Sequence, residues 1–203
     1  AHALNDPQRD FLRLIERFGC GAEQINQRYH FNPELFSDPH LEGLTATAKS
    51  NLQARMTFFS DTANELFEKI YFETSNAPDG IFHVTCTGYV SPSAAQRVVS
   101  KKSWRSQIFH LYHMGCYAAL PAARLANSLL SSEGMKRIDI VHTELCTLHF
   151  QGHNHDPEQL VVQSLFGDGV ISYSLAALPP QFGFKILWSG EQVISNSIEA
   201  MTW

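Results

Sequence analysis

Between residues 81 and 150 the apolar residues switch back and forth between the two periods that secondary structure allows, and this alternation restricts the fold more than any other feature. The runs "IFHVTCTGYV" (81–90), "SQIFHLYHMG" (106–115) and "KRIDIVHTELCTLHF" (136–150) are short and rich in β-branched and aromatic residues. Side chains of that kind fit a pleated surface, so each run predicts a strand. The first two lead into helical stretches, at "PSAAQRVVSKK" and at "CYAALPAARLANSLL". Strands alternating with helices form βαβ units, which predicts an α/β fold with a largely parallel sheet. A last pair, "GVISYSLAAL" and "FGFKILWSGEQVI", reads as two more strands joined by "PPQ".

Upstream, the pattern is helical. Phe11, Leu12, Leu14, Ile15 and Phe18 recur at helical spacing from Pro7 to Phe18, with Asn5 or Asp6 available as N-cap. A second helix is expected from about Leu44 to Phe72, carried by Leu52, Met56, Phe59, Ala63, Leu66, Phe67 and Ile70 and stopped by "SNAPDG". There is no internal repeat and no low-complexity linker.

Composition narrows the partners. Fifteen Lys and Arg against 20 Asp and Glu, scattered without a basic block, give a net charge of -5, which argues against nucleic acid. No apolar run approaches the roughly 20 residues that span a bilayer, and "AHALNDPQRD" lacks a signal pattern. A soluble, cytoplasmic protein without a membrane partner is the expectation. The four cysteines, Cys20, Cys86, Cys116 and Cys146, contain no CxxC pair, so reduced thiols are expected.

Cys116 stands where the strand at 106–115 becomes a helix. The first backbone N–H groups of a helix have no partner inside it and carry partial positive charge. A cysteine at such a place is favoured as thiolate, the reactive form. Gly115 before it lets the chain turn sharply and lets a substrate approach the backbone. Cys116 is thus placed as a nucleophile, while the local string also fits a small apolar residue opening a buried helix.

The order of four segments bears on that choice. "TCTGYVSP", "HMGCYAALPAARLA", "VHTELCTLHF" and "QSLFGDG", together with "NLQARM" at 51–56, resemble the chalcone synthase-like type III polyketide synthases, relatives of the ketoacyl synthase III enzymes. The resemblance covers nearly the whole chain. It implies the thiolase fold, a layered α/β/α/β/α arrangement of two similar halves, with residues 1–203 as the first half. It also implies a homodimer and a catalytic cysteine at Cys116. The family's catalytic histidine and asparagine belong to the second half, expected outside this chain, so a fragment, a cleaved chain or one part of a split enzyme is anticipated.

The activity implied is acyl transfer with C–C bond formation. An acyl group passes from a thioester to the cysteine; a second, carboxylated thioester loses CO2 and its enolate attacks. Acyl-CoA or acyl carrier protein thioesters would be the partners, and no cofactor is expected. By position, the resemblance makes Phe166 a gate between access tunnel and cavity. It places Cys86, Cys146, Leu148 and His149 on the cavity wall, and sends Ser91 across the dimer interface. Cys86, Cys146 and His149 stand where plant members commonly have threonine, and "HMGCYAA" is closer to bacterial members acting on aliphatic or carrier-bound chains.

His153, His155 and Asp156 in "GHNHD" could suggest metal, but no second cluster completes a four-ligand zinc site, and a solvated loop is expected. His110 and His113 flank the nucleophile and could suggest a hydrolase-type dyad; packing roles are expected instead. Glu144 falls on a glutamate that the family carries, with a structural hydrogen-bonding role. A non-catalytic partner subunit, and a thiol acyltransferase or hydrolase without condensation, stay open.

Overall fold

A computed structural model describes residues 7–31, 51–150, 154, 156–177 and 183–197. Helix α1 (Pro7–Phe18) and helix α2 (Leu52–Ile70) come first. Asn51 caps α2, its side chain accepting from the Ala54 N–H at 2.9 Å. The expected start of α2 near Leu44 lies outside the described residues, as do the proposed caps Asn5 and Asp6.

Next come β1 (Gly80–Thr85), α3 (Ala94–Lys101), β2 (Gln107–Tyr112), a 3-10 turn (Cys116–Ala118) running into α4 (Ala119–Ser132), and β3 (Arg137–Leu145). A second 3-10 turn (Cys146–His149), α5 (Pro157–Leu165) and β4 (Asp168–Ala176) follow. The sheet order is β2-β1-β3-β4. Strands β2, β1 and β3 are parallel, with Gly80 opposite both Gln107 and Ile138, while β4 runs antiparallel to β3. Ser93 and Gln96 explain why α3 starts where it does. The Ser93 hydroxyl accepts from the Gln96 N–H and the Gln96 side chain accepts from the Ser93 N–H, a reciprocal cap.

Period-two alternation sorts the sheet's side chains between two cores. On one face Ile81, Val141 and Leu145 meet Phe59, Ala63 and Phe67 of α2 and Ala94, Ala95 and Val98 of α3. On the other, Phe82, Val84, Leu111, Ile138 and Ile140 meet Ala122, Ala126 and Leu130 of α4. The result is three layers with β1 at the centre, buried along its whole length, as a strand covered by helices on both faces must be.

Several boundaries differ from the sequence expectation. The strands at 81–90, 106–115 and 136–150 end at Thr85, Tyr112 and Leu145. After Thr85, the Cys86 N–H turns to the Glu144 carboxylate at 3.0 Å instead of a neighbouring strand. After Tyr112, His113 and Gly115 have φ of 55° and 84°, which no strand accommodates. The stretch 182–194, expected as a strand, forms none among its described residues. Phe184, Leu187, Trp188, Val193 and Ile194 stand exposed there, and strand-forming composition cannot make a ladder without an edge to pair with. Helix α4 leaves one side open to solvent, where Leu120 is 74% exposed. Helix α5 was not anticipated.

Candidate functional site

The parallel strands end on the same side of the sheet, the place where open α/β sheets bind ligands. Three of the four cysteines follow those ends: Cys86 directly after β1, Cys116 four residues after β2, and Cys146 directly after β3. They differ in accessibility. Cys116 is exposed, whereas Cys86 and Cys146 are partly buried.

Glu144, near the end of β3, organises this edge. Its carboxylate accepts from the Thr87 hydroxyl at 2.8 Å and from the Cys86 N–H at 3.0 and 3.2 Å. Thr87 is held a second time, its Oγ1 accepting from the Leu145 N–H at 2.8 Å. Burial raises the Glu144 pKa above the usual carboxylate range, opposed by those hydrogen bonds. Burial, then the nearby Glu144, also raises the Cys86 thiol. Cys146 is pushed up to about 12, by burial first and then by Glu144 and Asp168. Both therefore stay protonated and are poor nucleophiles at neutral pH.

Cys116 opens its 3-10 turn, with Gly115 as the preceding cap residue and no side chain capping the turn. The φ of 84° at Gly115 lies where a Cβ would be strained, which is why glycine occupies the junction. The turn's leading N–H groups are thus left for something other than a side chain.

The remaining candidates are spread along this edge. His149 bonds through Nε2 to the Thr87 carbonyl at 2.8 Å, and its Nδ1 lies 3.4 Å from an Arg55 guanidinium nitrogen. Phe166 is partly buried and caps the end of α5, its N–H donating to the Val162 carbonyl at 3.0 Å. Leu148 is buried in the core beneath α2, and Ser91 is exposed, joined to Pro92 by a cis peptide bond. His110 bonds through Nε2 to the Ser93 hydroxyl at 2.7 Å, and the His113 ring lies against Tyr89. Among the described residues neither is hydrogen-bonded to Cys116. His153 and His155 lie outside the described residues.

Asp168 does more than turn the chain. Its carboxylate accepts from the Thr147 N–H and hydroxyl at 2.9 and 2.7 Å and from the Phe31 N–H at 2.9 Å. Gly167 lets residues 28–29 approach: a Cβ there would lie 3.0 Å from the Tyr29 carbonyl oxygen. The only sequence signal for this clamp is a carboxylate between two glycines, Gly167 and Gly169.

A mainly parallel sheet with helices on both faces places the chain in the α/β class. Comparison with known proteins narrows it. Residues 15–179 match the family described as chalcone and stilbene synthases, N-terminal domain, and the chain belongs to that family. It is 28% identical over 206 residues to bisdemethoxycurcumin synthase of Oryza sativa subsp. japonica, covering 94% of this chain and 49% of the rice protein. It is 30% identical over 130 residues to probable polyketide synthase 1 of Dictyostelium discoideum, covering 61% of this chain and 4% of that protein. Thus it spans about half the rice relative and a small part of the other.

The fold is that of the type III polyketide synthases, thiolase-like. Superposition on 1,3,6,8-tetrahydroxynaphthalene synthase of Streptomyces coelicolor A3(2) gives a TM-score of 0.73 at 20% identity, over 95% of this chain and 54% of that one. The C-terminal type III polyketide synthase domain of Steely1 from Dictyostelium gives 0.66 at 21% identity, over 87% and 49%. Among the described residues no helix is long and apolar enough to cross a membrane.

Proposed function

We propose that this chain carries the nucleophile of a condensing acyltransferase, with Cys116 as the residue that is acylated. The observation that carries the reading is the contrast at the strand ends: Cys116 is exposed at an uncapped helical turn, while Cys86 and Cys146 are partly buried and held protonated. In the first step the Cys116 thiolate attacks the carbonyl carbon of an acyl thioester and expels the carrier thiolate, leaving a new thioester on the protein. In the second, a carboxylated thioester loses CO2, and its enolate carbon attacks the acyl group and releases Cys116. Both steps put negative charge on a thioester oxygen. A preorganised donor facing that oxygen is worth about 10²–10³ in rate, and the Cys116 N–H is one candidate.

The histidine and asparagine that complete this chemistry would come from a C-terminal half packed on this one, and the assembled protein would be a homodimer with Ser91 near its interface. Outward-facing Tyr117 in the 3-10 turn, Leu120 and Leu125 on α4, and the exposed apolar residues of 183–194 support such a covering partner. Phe166 would gate the acyl chain. The thioester donor is acyl-CoA or acyl carrier protein, with aliphatic chains as the expected class.

Intact-mass spectrometry after incubation with an acyl-CoA tests the reading in the full-length polypeptide. One acyl adduct on the wild type and none on Cys116→Ala is expected, and an adduct persisting on Cys86 or Cys146 would overturn it. Malonyl-dependent CO2 release separates condensation from simple acyl transfer.

A further inference from the structure

The chain enters the Cys116 turn through two residues with positive φ, His113 and Gly115, and no side chain caps the turn it enters. Two hydrogen bonds pin this junction to the end of β1. The His113 N–H donates to the Thr85 carbonyl at 3.0 Å, and the Gly115 N–H donates to the Cys86 sulfur at 3.1 Å. Cys86 is in turn fixed from behind, since its N–H donates to both oxygens of Glu144. A continuous path therefore runs from a partly buried carboxylate on β3, through the residue after β1, to the residue before Cys116.

We propose that Cys86 is a positioning residue for Cys116: its sulfur accepts the Gly115 N–H and, anchored by Glu144, holds the turn that presents the nucleophile. The inference rests on the reading of Cys116 as nucleophile, and it gives Cys86 a role other than that of a cavity wall. A neutral thiol can fill it, because the sulfur acts only as acceptor. Burial and the neighbouring carboxylate favour that neutral form, so Cys86 steadies the turn without competing for the acyl group.

The test is the second-order rate of iodoacetamide labelling at Cys116, read by mass spectrometry of the peptide that contains it, in the full-length polypeptide. Cys86→Ala removes the acceptor, Cys86→Val removes it while keeping bulk, and Cys86→Ser replaces it with a hydroxyl oxygen. Loss of one hydrogen bond should slow labelling of Cys116 by roughly three- to tenfold in the Ala and Val variants. The Ser variant should recover to within about twofold of wild type. Equal or faster labelling in Ala and Val, or a Ser variant as slow as both, would overturn the proposal. Where Cys86→Ala folds poorly by circular dichroism, the Val and Ser pair decides the matter. An acyl-CoA that leaves no adduct on the wild type would instead defeat the nucleophile reading, while the iodoacetamide comparison still answers the positional question.

Discussion

Helices α2 and α4 cover opposite faces of one sheet by opposite means. Helix α2 inserts large rings: Phe59 and Phe67 are fully buried, with Ala63 between them. Helix α4 meets the sheet with Pro121, Ala122, Ala126 and Leu130, mostly small, while the bulkier Leu120 and Leu125 face outward. A ring fills a wide gap between helix and strand, whereas alanines let the backbones come close, so residue size sets the separation. Apolar periodicity alone therefore does not say which face of a helix is the inner one. In α4 two of the leucines, Leu120 and Leu125, lie on the outside while alanines line the inside.

The sharpest way to break this comparison is to empty the α2 side. Phe67 packs edge-on to the ring of His83, centroids 4.8 Å apart, and against Tyr71. Phe67→Ala should cost about 3–5 kcal/mol, through lost burial and the cavity left behind. Urea unfolding with an unchanged m-value would measure it, and a loss under 1 kcal/mol would show that the α2 face is loosely packed.

On the α4 side the expected failure is the reverse. Ala126 is fully buried against the sheet, so Ala126→Leu should overpack the close contact and cost about 1–3 kcal/mol. A stabilising result from the same unfolding experiment would mean that a void lies between α4 and the strands.

How much of this was legible in the sequence depends on what each residue answers to. The strand and helix runs were legible because periodicity follows from one face being buried, and α1 begins and ends as read. The junction at Cys116 between strand and helix was legible because a glycine, a cysteine and a change of period coincide there. Strand ends were not, since they depend on Glu144 reaching Cys86 across 58 positions of sequence. Helix α5 had its own signal, Asp156 before Pro157 at the first helical position, masked by the histidine-rich stretch before it. The stretch 182–194 was misread because strand-like composition reports a wish for burial, not the presence of a neighbouring edge. Leu148 and His149, adjacent in sequence, have quite different surroundings, one in the core and one bridging Thr87 and Arg55.

The α2 face also carries a pH dependence, centred on His83. His83 is fully buried under Phe67, bonded through Nε2 to the Thr143 hydroxyl at 2.8 Å and through Nδ1 to the Tyr112 hydroxyl at 2.7 Å. Burial, then the nearby His110 and His142, pushes its pKa down to about 3 from 6.5. The unfolded chain then binds a proton that the folded one refuses, so stability is full above about pH 6.5 and is lost as pH falls toward 3. The slope is at most about 1.4 kcal/mol per pH unit. Burial lowers His110 and His142 as well, with the same sign, whereas the raised Glu144 acts oppositely, its stability loss coming as pH rises through its titration. Comparing His83→Gln with wild type between pH 6.5 and 4.5 isolates the one histidine. A flatter curve in the variant is expected; parallel curves would mean that His83 protonates as easily folded as unfolded.

The smallest effect belongs to the outer face of α4. Leu120 and Leu125 touch solvent over much of their surface, so replacing them removes little burial from this fold. Leu120→Ser should change unfolding of residues 1–203 by no more than about 0.5 kcal/mol, the ordinary range for a surface site. In the same chain it should reduce concentration-dependent aggregation, measured by light scattering, because it breaks an exposed apolar stripe. If a C-terminal half covers that stripe, as proposed, the same substitution in the longer protein should cost well over 1 kcal/mol, since leucine is then buried and serine leaves an unpartnered hydroxyl. Equal, small effects in both lengths would leave the outer face of α4 open in the assembled protein, and the covering partner would have to sit elsewhere.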